Sequence, residues 1–173
     1  MLIGLLSDTH GTFDAPLRSF FEKVDQIWHA GDFGNIEIAD EIASFKPLIG
    51  VQGNCDDHKI RIVYPKMQCF EIEQMKVLML HIGGTPGHYD YQALPLINAH
   101  QPQLFICGHS HILKVMNDKK HHLLHINPGA AGKYGIHTLR TAVRFRIRSG
   151  EISDLEVWEL ARFIYDETNI ISK

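Results

Sequence analysis

Cysteine is scarce in this 173-residue chain: Cys55, Cys69 and Cys107 make an odd set without a CxxC pair. That argues against a disulfide framework or a thiolate zinc site and suits a reducing compartment. Long apolar runs are also missing, which leaves no segment of membrane-spanning length and no membrane partner. The apolar start MLIGLLSD has no basic residue ahead of it and reaches Asp8 too soon to form a signal peptide. The expected location is therefore the cytoplasm. Positive charge is in short supply too, with 17 Lys and Arg against 20 Asp and Glu. The net charge of −3 gives no dedicated nucleic-acid surface. Low-complexity stretches, internal repeats and an interdomain linker are likewise absent. The expectation is one domain over residues 1–173, of ordinary globular composition.

Histidine, by contrast, is plentiful: there are 12. It is the commonest protein metal ligand, so its placement along the chain matters. LIGLLS (2–7) is an apolar run that stops at Asp-Thr-His-Gly, the pattern of a buried strand meeting a loop. Asp14 is a candidate N-cap for a helix over PLRSFFEKV. QIWHA (26–30) is the next strand, IEIADEIASF (36–45) an amphipathic helix stopped by Pro47, and PLIGVQ (47–52) a third strand. This β-α-β-α-β half implies parallel strands joined by right-handed crossovers. In the second half, MQCFEIE and KVLML form a hairpin, YQALPLINAH a helix, and LFICG (104–108) a buried strand. HILKVMN, HHLLHIN, RTAVRFRIR and EISDLEVWEL follow as antiparallel strands. The fold class is α/β, a sandwich with mixed sheets.

The polar residues fall at strand ends. Asp8 and His10 follow the first strand, Asp32 the second, Asn54 the third; His81 follows KVLML, and His109 and His111 follow LFICG. Ligands of open α/β sheets bind at that edge. On extended chain, Asp8-x-His10 and His109-x-His111 would each point both side chains to one side. Two aspartates, four histidines and an asparagine exceed the needs of one metal and suffice for two ions sharing a bridging carboxylate. Two divalent ions against two carboxylates leave a positive site, suited to an anionic phosphate ester and to a water of lowered pKa. Singly, Asp8 and Asp32 read as helix caps, Asn54 as a turn residue, and each histidine as a packed core residue; the ordered set favours the site.

Ser7-Asp8-Thr9-His10-Gly11, Gly31-Asp32, Gly53-Asn54-Cys55-Asp56, His81 and Gly108-His109-Ser110-His111, in that order, resemble the calcineurin-like metallophosphoesterase superfamily, in its small YfcE-type phosphodiesterase branch. The resemblance runs from residue 2 to about residue 150. It implies a four-layer α-β-β-α sandwich. It also implies that Asp8, His10 and His111 hold one metal, that Asn54, His81 and His109 hold the second, and that Asp32 bridges them. Asp32, Asn54, Asp56 and His109 are the residues expected to serve catalysis, Asp56 by accepting a hydrogen bond that orients a neighbour. The expected reaction is hydrolysis of a small phosphodiester by a hydroxide bridging two divalent ions. Mixed nitrogen and oxygen ligands favour manganese first, with zinc, iron or nickel as alternatives. Phosphomonoesterase activity is a second reading. A scaffold with eroded catalysis is a third, after the resemblance to a retromer coat subunit.

Several residues need no role in that chemistry. Cys55 lies where many relatives carry histidine, so a weak proton donor replaces a strong one. Cys107 reads as a small core hydrophobe. His29 reads as packed, and His121, His122 and His125 as a solvated hairpin tip. INPGAAG (126–132) reads as a structural turn, and Arg144, Arg146 and Arg148 as the solvated face of a strand. Exposed apolar faces on the late strands would allow a homo-oligomer.

Overall fold

The computed structural model describes residues 1–162; the part of the expected domain over 163–173 lies outside the described residues. The first sheet contains β1 (Leu2–Leu6), β2 (Gln26–His29), β3 (Leu48–Gly50), β11 (Leu139–Arg148) and β12 (Glu151–Ala161), in the order β12-β11-β1-β2-β3. β1, β2 and β3 run parallel, and β11 and β12 are added antiparallel. The second contains β4 (Met67–Ile72), β5 (Met75–Leu80), β8 (Leu104–Ile106), β9 (Leu113–Asp118) and β10 (Leu123–Pro128), in the order β4-β5-β8-β10-β9. The late strands are not uniformly antiparallel: β10 pairs parallel to β8 as well as antiparallel to β9. It returns beside β8 after β9 has taken the outer edge. A two-stranded ribbon, β6 (Gly84–Thr85) and β7 (His88–Tyr89), stands apart from both sheets.

Period-2 alternation builds the layers. Ile3, Leu5, Trp28 and Val143 of the first sheet meet Met75, Val77, Leu104 and Ile126 of the second in the central core. The opposite face of the first sheet is covered by α1 (Ala15–Phe21), α2 (Ile36–Phe45) and α3 (His58–Val63), through Leu17, Phe21, Ala39, Ile42 and Ile60. The outer face of the second is covered by α4 (Ala93–His100), through Ala93 and Ile97 against Leu78 and Phe105. The result is the expected four-layer sandwich. Burying Phe21 or Trp28 is worth roughly 2–3 kcal/mol each before entropy is counted.

The helix boundaries follow local chemistry. Asn35 caps α2 by accepting the Ile38 N–H at 3.0 Å, and Asp57 caps α3 by accepting the Ile60 N–H at 3.1 Å. Asp14 stands at the N-cap of α1 but makes no side-chain cap. Its carboxylate is claimed by the buried guanidinium of Arg140, at 2.8 and 3.0 Å. A bidentate charged pair outweighs one neutral cap. The expected basic face of β11 is likewise paired rather than free: Arg144 reaches Glu156 at 2.7 Å and Arg146 reaches Asp154 at 3.2 Å. Two elements carry no sequence signal strong enough to read, the six-residue α3 and the β6–β7 ribbon.

Candidate metal centre

Because β1, β2 and β3 run parallel, as do β5 and β8, their C-terminal ends gather at one edge of the sandwich. The chain leaves β1, β2 and β8 there through left-handed backbone. Asp8, His10, Asp32, His109 and His111 have φ of 54°, 43°, 59°, 67° and 60°. The i, i+2 pairs therefore do not lie on extended chain as the sequence reading held. Each such residue costs on the order of 1 kcal/mol, and such strain collects where side-chain aim matters more than stability.

Two clusters of ligand atoms result. Asp8, His10 and His111 present ligand atoms within 4.8 Å of one another, and so do Asp8, Asp32 and His81. His111 Nε2 is 3.2 Å from Asp8 Oδ1, and His81 Nε2 is 3.3 Å from Asp32 Oδ2. Asp32 Oδ2 is also 4.0 Å from His10 Nε2, which places it between the two histidine groups. Among the described residues, Asp8 Oδ1 and His81 Nε2 are both buried and without a hydrogen-bond partner. Buried polar atoms are rarely left so, and each orphan costs about 1–3 kcal/mol. A cation between a carboxylate oxygen and an imidazole lone pair satisfies both. The Ala30 carbonyl lies 2.7 Å from His81 Nδ1, so a neutral ring puts its proton there and aims the Nε2 lone pair into the site. The residues present fit a divalent metal.

Close backbone approach makes this possible. A Cβ on Gly31, where φ is 98°, would stand 2.6 Å from the His81 ring, and one on Gly53 would stand 2.0 Å from Asp32 Oδ1. Asp56 is buried, and its carboxylate accepts the N–H groups of Asp32, Gly34 and Gly53 at 3.0, 3.1 and 2.7 Å. It is a positioning residue that ties the β2 and β3 loops together, not a group that faces substrate. Asn127, in the INPGAAG turn, does the same for the β8 loop by donating to the Gly108 carbonyl at 2.7 Å. Ala131 and Gly132 hold the Ser7 and Asp8 carbonyls at 2.9 and 3.0 Å. His29 is fully buried and shares a 2.8 Å hydrogen bond with Thr9 Oγ1.

Asn54 and His109 are exposed at the rim. The His109 ring packs edge-on to His81 with centroids 5.3 Å apart, while the Asn54 amide donates to Cys55 Sγ at 3.3 Å. Cys55 itself donates its backbone N–H to Asp32 Oδ1 at 2.8 Å. Sequence reasoning missed His137, whose Nδ1 is 3.3 Å from His111 Nδ1 while its Nε2 reaches the Gly132 carbonyl at 3.4 Å. Only its distance from the other ligands in the chain concealed it. His125 is a correction: it is fully buried on β10, not part of a solvated tip. The turn extends only to His122, and β10 begins at Leu123.

Comparison with known proteins identifies the family. The calcineurin-like phosphoesterase superfamily domain matches residues 1–150. The chain belongs to that superfamily. A probable metallophosphoesterase of Methanothermobacter thermautotrophicus is 33% identical over 143 residues, covering 75% of this chain and 77% of the relative. Two solved structures share the fold. An archaeal phosphodiesterase has a TM-score of 0.65 at 22% identity, over 93% of this chain and 99% of its own. Vps29 of Entamoeba histolytica, complexed with zinc, has a TM-score of 0.70 at 16% identity, over 94% of this chain and 100% of its own. Metallophosphoesterases use divalent metals, and this member carries the two clusters that could hold them.

The electrostatics of this phosphoesterase site favour cations. Burial raises the Asp8 carboxyl, but His111 and the charge of His81 outweigh it and hold the group below the usual carboxylate range. For Asp32 burial is likewise overcome, by His81 and by the Cys55 N–H, and its carboxyl is held lower still. Burial pulls the His81 imidazole down, but Asp32 and Asp8 more than compensate and raise it. The Cys55 thiol is pushed up by partial burial and by the Asp32 charge, so it stays protonated and is no thiolate nucleophile. Among the described residues no helix is long and apolar enough to cross a membrane.

Proposed function

We propose that the protein is a divalent-metal-dependent phosphodiesterase acting on a small phosphate ester. One observation carries the reading: two ligand clusters share Asp8, and at their centre Asp8 Oδ1 and His81 Nε2 are buried without partners. Asp8, His10 and His111 would hold one ion and Asn54, His81 and His109 the other, with Asp32 between them. When bound, such ions lower the pKa of a water and stabilise charge on phosphoryl oxygens; manganese is the proposed pair, with zinc, iron or nickel as substitutes. The chain's own part is to hold the ligands at fixed angles and keep the His81 proton on Nδ1. It also presents the exposed His109 to the ester at the rim.

Space beside the centre favours a diester over a monoester. One cavity of about 420 Å³ meets His109, and another of about 280 Å³ meets Asn54 and His81, with Ile82 lining both. A diester carries two organic groups, and there is a cavity for each. Cys55, protonated and exposed, is a poor proton donor to a leaving alkoxide, which directs the choice of assay to aryl esters. Manganese added to metal-stripped protein should raise hydrolysis of bis(p-nitrophenyl) phosphate well above that of p-nitrophenyl phosphate. Asp32→Ala should reduce it at least about a thousandfold. Faster hydrolysis of the monoester would assign a phosphomonoesterase. No gain on adding any of the four metals would leave a scaffold, as the likeness to Vps29 allows.

A further inference from the structure

The larger cavity contains a feature that the metal centre does not use. Its walls come from the β6–β7 ribbon, from the Gly108–Ser110 loop, and from Lys114 and His125 of the neighbouring strands β9 and β10. His125 is 0% exposed, and neither of its ring nitrogens has a hydrogen-bond partner among the described residues. Tyr89 and Phe105 pack beside the ring at 6.2 and 5.7 Å between centroids, and neither supplies a polar atom to it. Two orphaned nitrogens on one buried side chain call for an occupant of the adjoining space. At about 420 Å³, that space is within the range of small-molecule sites.

The chemistry of the walls narrows the occupant. Burial first, and then the charge of Lys114, lower His125 to about 4, so near neutrality the ring is uncharged and offers one N–H donor and one lone pair. A carboxylate or phosphate would satisfy the N–H and face the lone pair with another. A hydroxyl can donate or accept, so it suits whichever ring nitrogen it meets in either tautomer. Lys114 already donates to Thr85 Oγ1 at 3.0 Å, and Asp90 shares the wall and offsets its charge. The lining therefore carries no net charge, unlike that of the smaller cavity, which holds Arg61 and Lys66.

We propose that this cavity is a subsite for a neutral, hydroxyl-bearing alcohol group of the substrate, glycerol-like or sugar-like, recognised by the orphaned ring of His125. The inference rests on the phosphodiesterase reading, because the cavity meets the site at His109. Two substrates differing only in hydroxyls test it: p-nitrophenyl 2,3-dihydroxypropyl phosphate and p-nitrophenyl propyl phosphate, with manganese-loaded protein. Wild-type protein should prefer the hydroxylated diester by about tenfold in kcat/KM, the scale of one or two hydrogen bonds. In His125→Leu that ratio should fall to about one. A ratio near one in the wild type, or an unchanged ratio in His125→Leu, overturns the proposal. A second measurement does not depend on catalysis or on the variant folding. Metal-stripped wild-type protein with 15N-labelled histidine is titrated with ethyl 2,3-dihydroxypropyl phosphate and with ethyl propyl phosphate. The His125 ring resonances should move with the first only; movement with neither, or equally with both, overturns the subsite. Absence of hydrolysis with both aryl diesters defeats the phosphodiesterase reading alone, and the titration still decides the subsite.

Discussion

The β11–β12 hairpin and the loops at the strand ends both concentrate ionisable side chains, and they dispose of them in different ways. On the hairpin, Arg146 faces Asp154 and Arg144 faces Glu156, with the carboxylates well exposed. Each charge has its counter-charge in the chain, and water screens both. At the strand ends, Asp8 and Asp32 are almost wholly buried and their nearest ionisable partners are imidazoles, not ammonium or guanidinium groups. Left-handed residues occur in both regions, but Ser149 belongs to the turn between β11 and β12, whereas Asp8, His10, Asp32, His109 and His111 lie in the strand-end loops that carry the candidate ligands. Charge completed within the chain maintains a fold. Buried charge left incomplete marks the place for something from outside.

The largest effect that sharpens this contrast is expected at Asp56. Asp56→Ala would leave the buried N–H groups of Asp32 and Gly53, and the part-buried one of Gly34, without an acceptor, at a cost of several kcal/mol in order of magnitude. Activity and thermal midpoint should fall together, whereas Asp32→Ala should abolish activity with a far smaller change in midpoint. Equal loss of midpoint in the two would erase the distinction between positioning and catalysis.

His137→Leu comes next. It removes the ring that faces His111 Nδ1, so calorimetric metal affinity should drop on the order of 10–100-fold. His137→Gln, which keeps an acceptor, should restore most of it. An unaltered affinity in the leucine variant would show that His111 needs no such partner.

Acid tests the buried region as a whole. Burial is the chief cause that lowers His29 to about 3 and His125 to about 4 from 6.5. Below pH 6.5 the unfolded chain binds protons that the folded chain refuses, so stability present above that pH is lost as pH falls toward 4. His81 has the opposite sign, being raised, but its contribution is already complete below pH 6.5. Asp8 and Asp32, held low, lose theirs only at still lower pH. Metal-free protein should lose on the order of 5 kcal/mol between pH 7 and 4.5, about half from each histidine, read from urea midpoints. A flat profile would contradict the neutral buried state of both histidines.

The smallest effect belongs to the hairpin. Arg146→Ala should change stability by less than about 1 kcal/mol, and less again in high salt. A change of several kcal/mol there would end the contrast between the two regions.

Much of the architecture was legible because apolar alternation is a local property. LIGLLS, QIWHA, IEIADEIASF and LFICG all became the elements their patterns imply, within a residue or two at most ends. Short elements were not. α3, over HKIRIV, is too brief to establish a helical period, and the β6–β7 ribbon has only two residues per strand. His125 was misplaced because a lysine-rich turn hid the start of β10. His137 was overlooked because nothing near it in the chain marks it as a neighbour of His111.

What the sequence determined by itself was the inventory: most of the sheet strands, and the oxygen and nitrogen side chains that follow the first three, KVLML and LFICG. Residue type and spacing are carried by the chain and need no partner to be read. Only the tertiary structure decided how those ligands meet. Left-handed turns, not extended pairs, aim Asp8, His10, His109 and His111. Asp56 joins its own loop to residues 22 and 24 positions away in the loop after β2, and the cavity above His125 arises where β9, β10 and the ribbon converge. Distance along the chain does not encode distance in space, and an orphaned atom can be recognised only after every neighbour is in place.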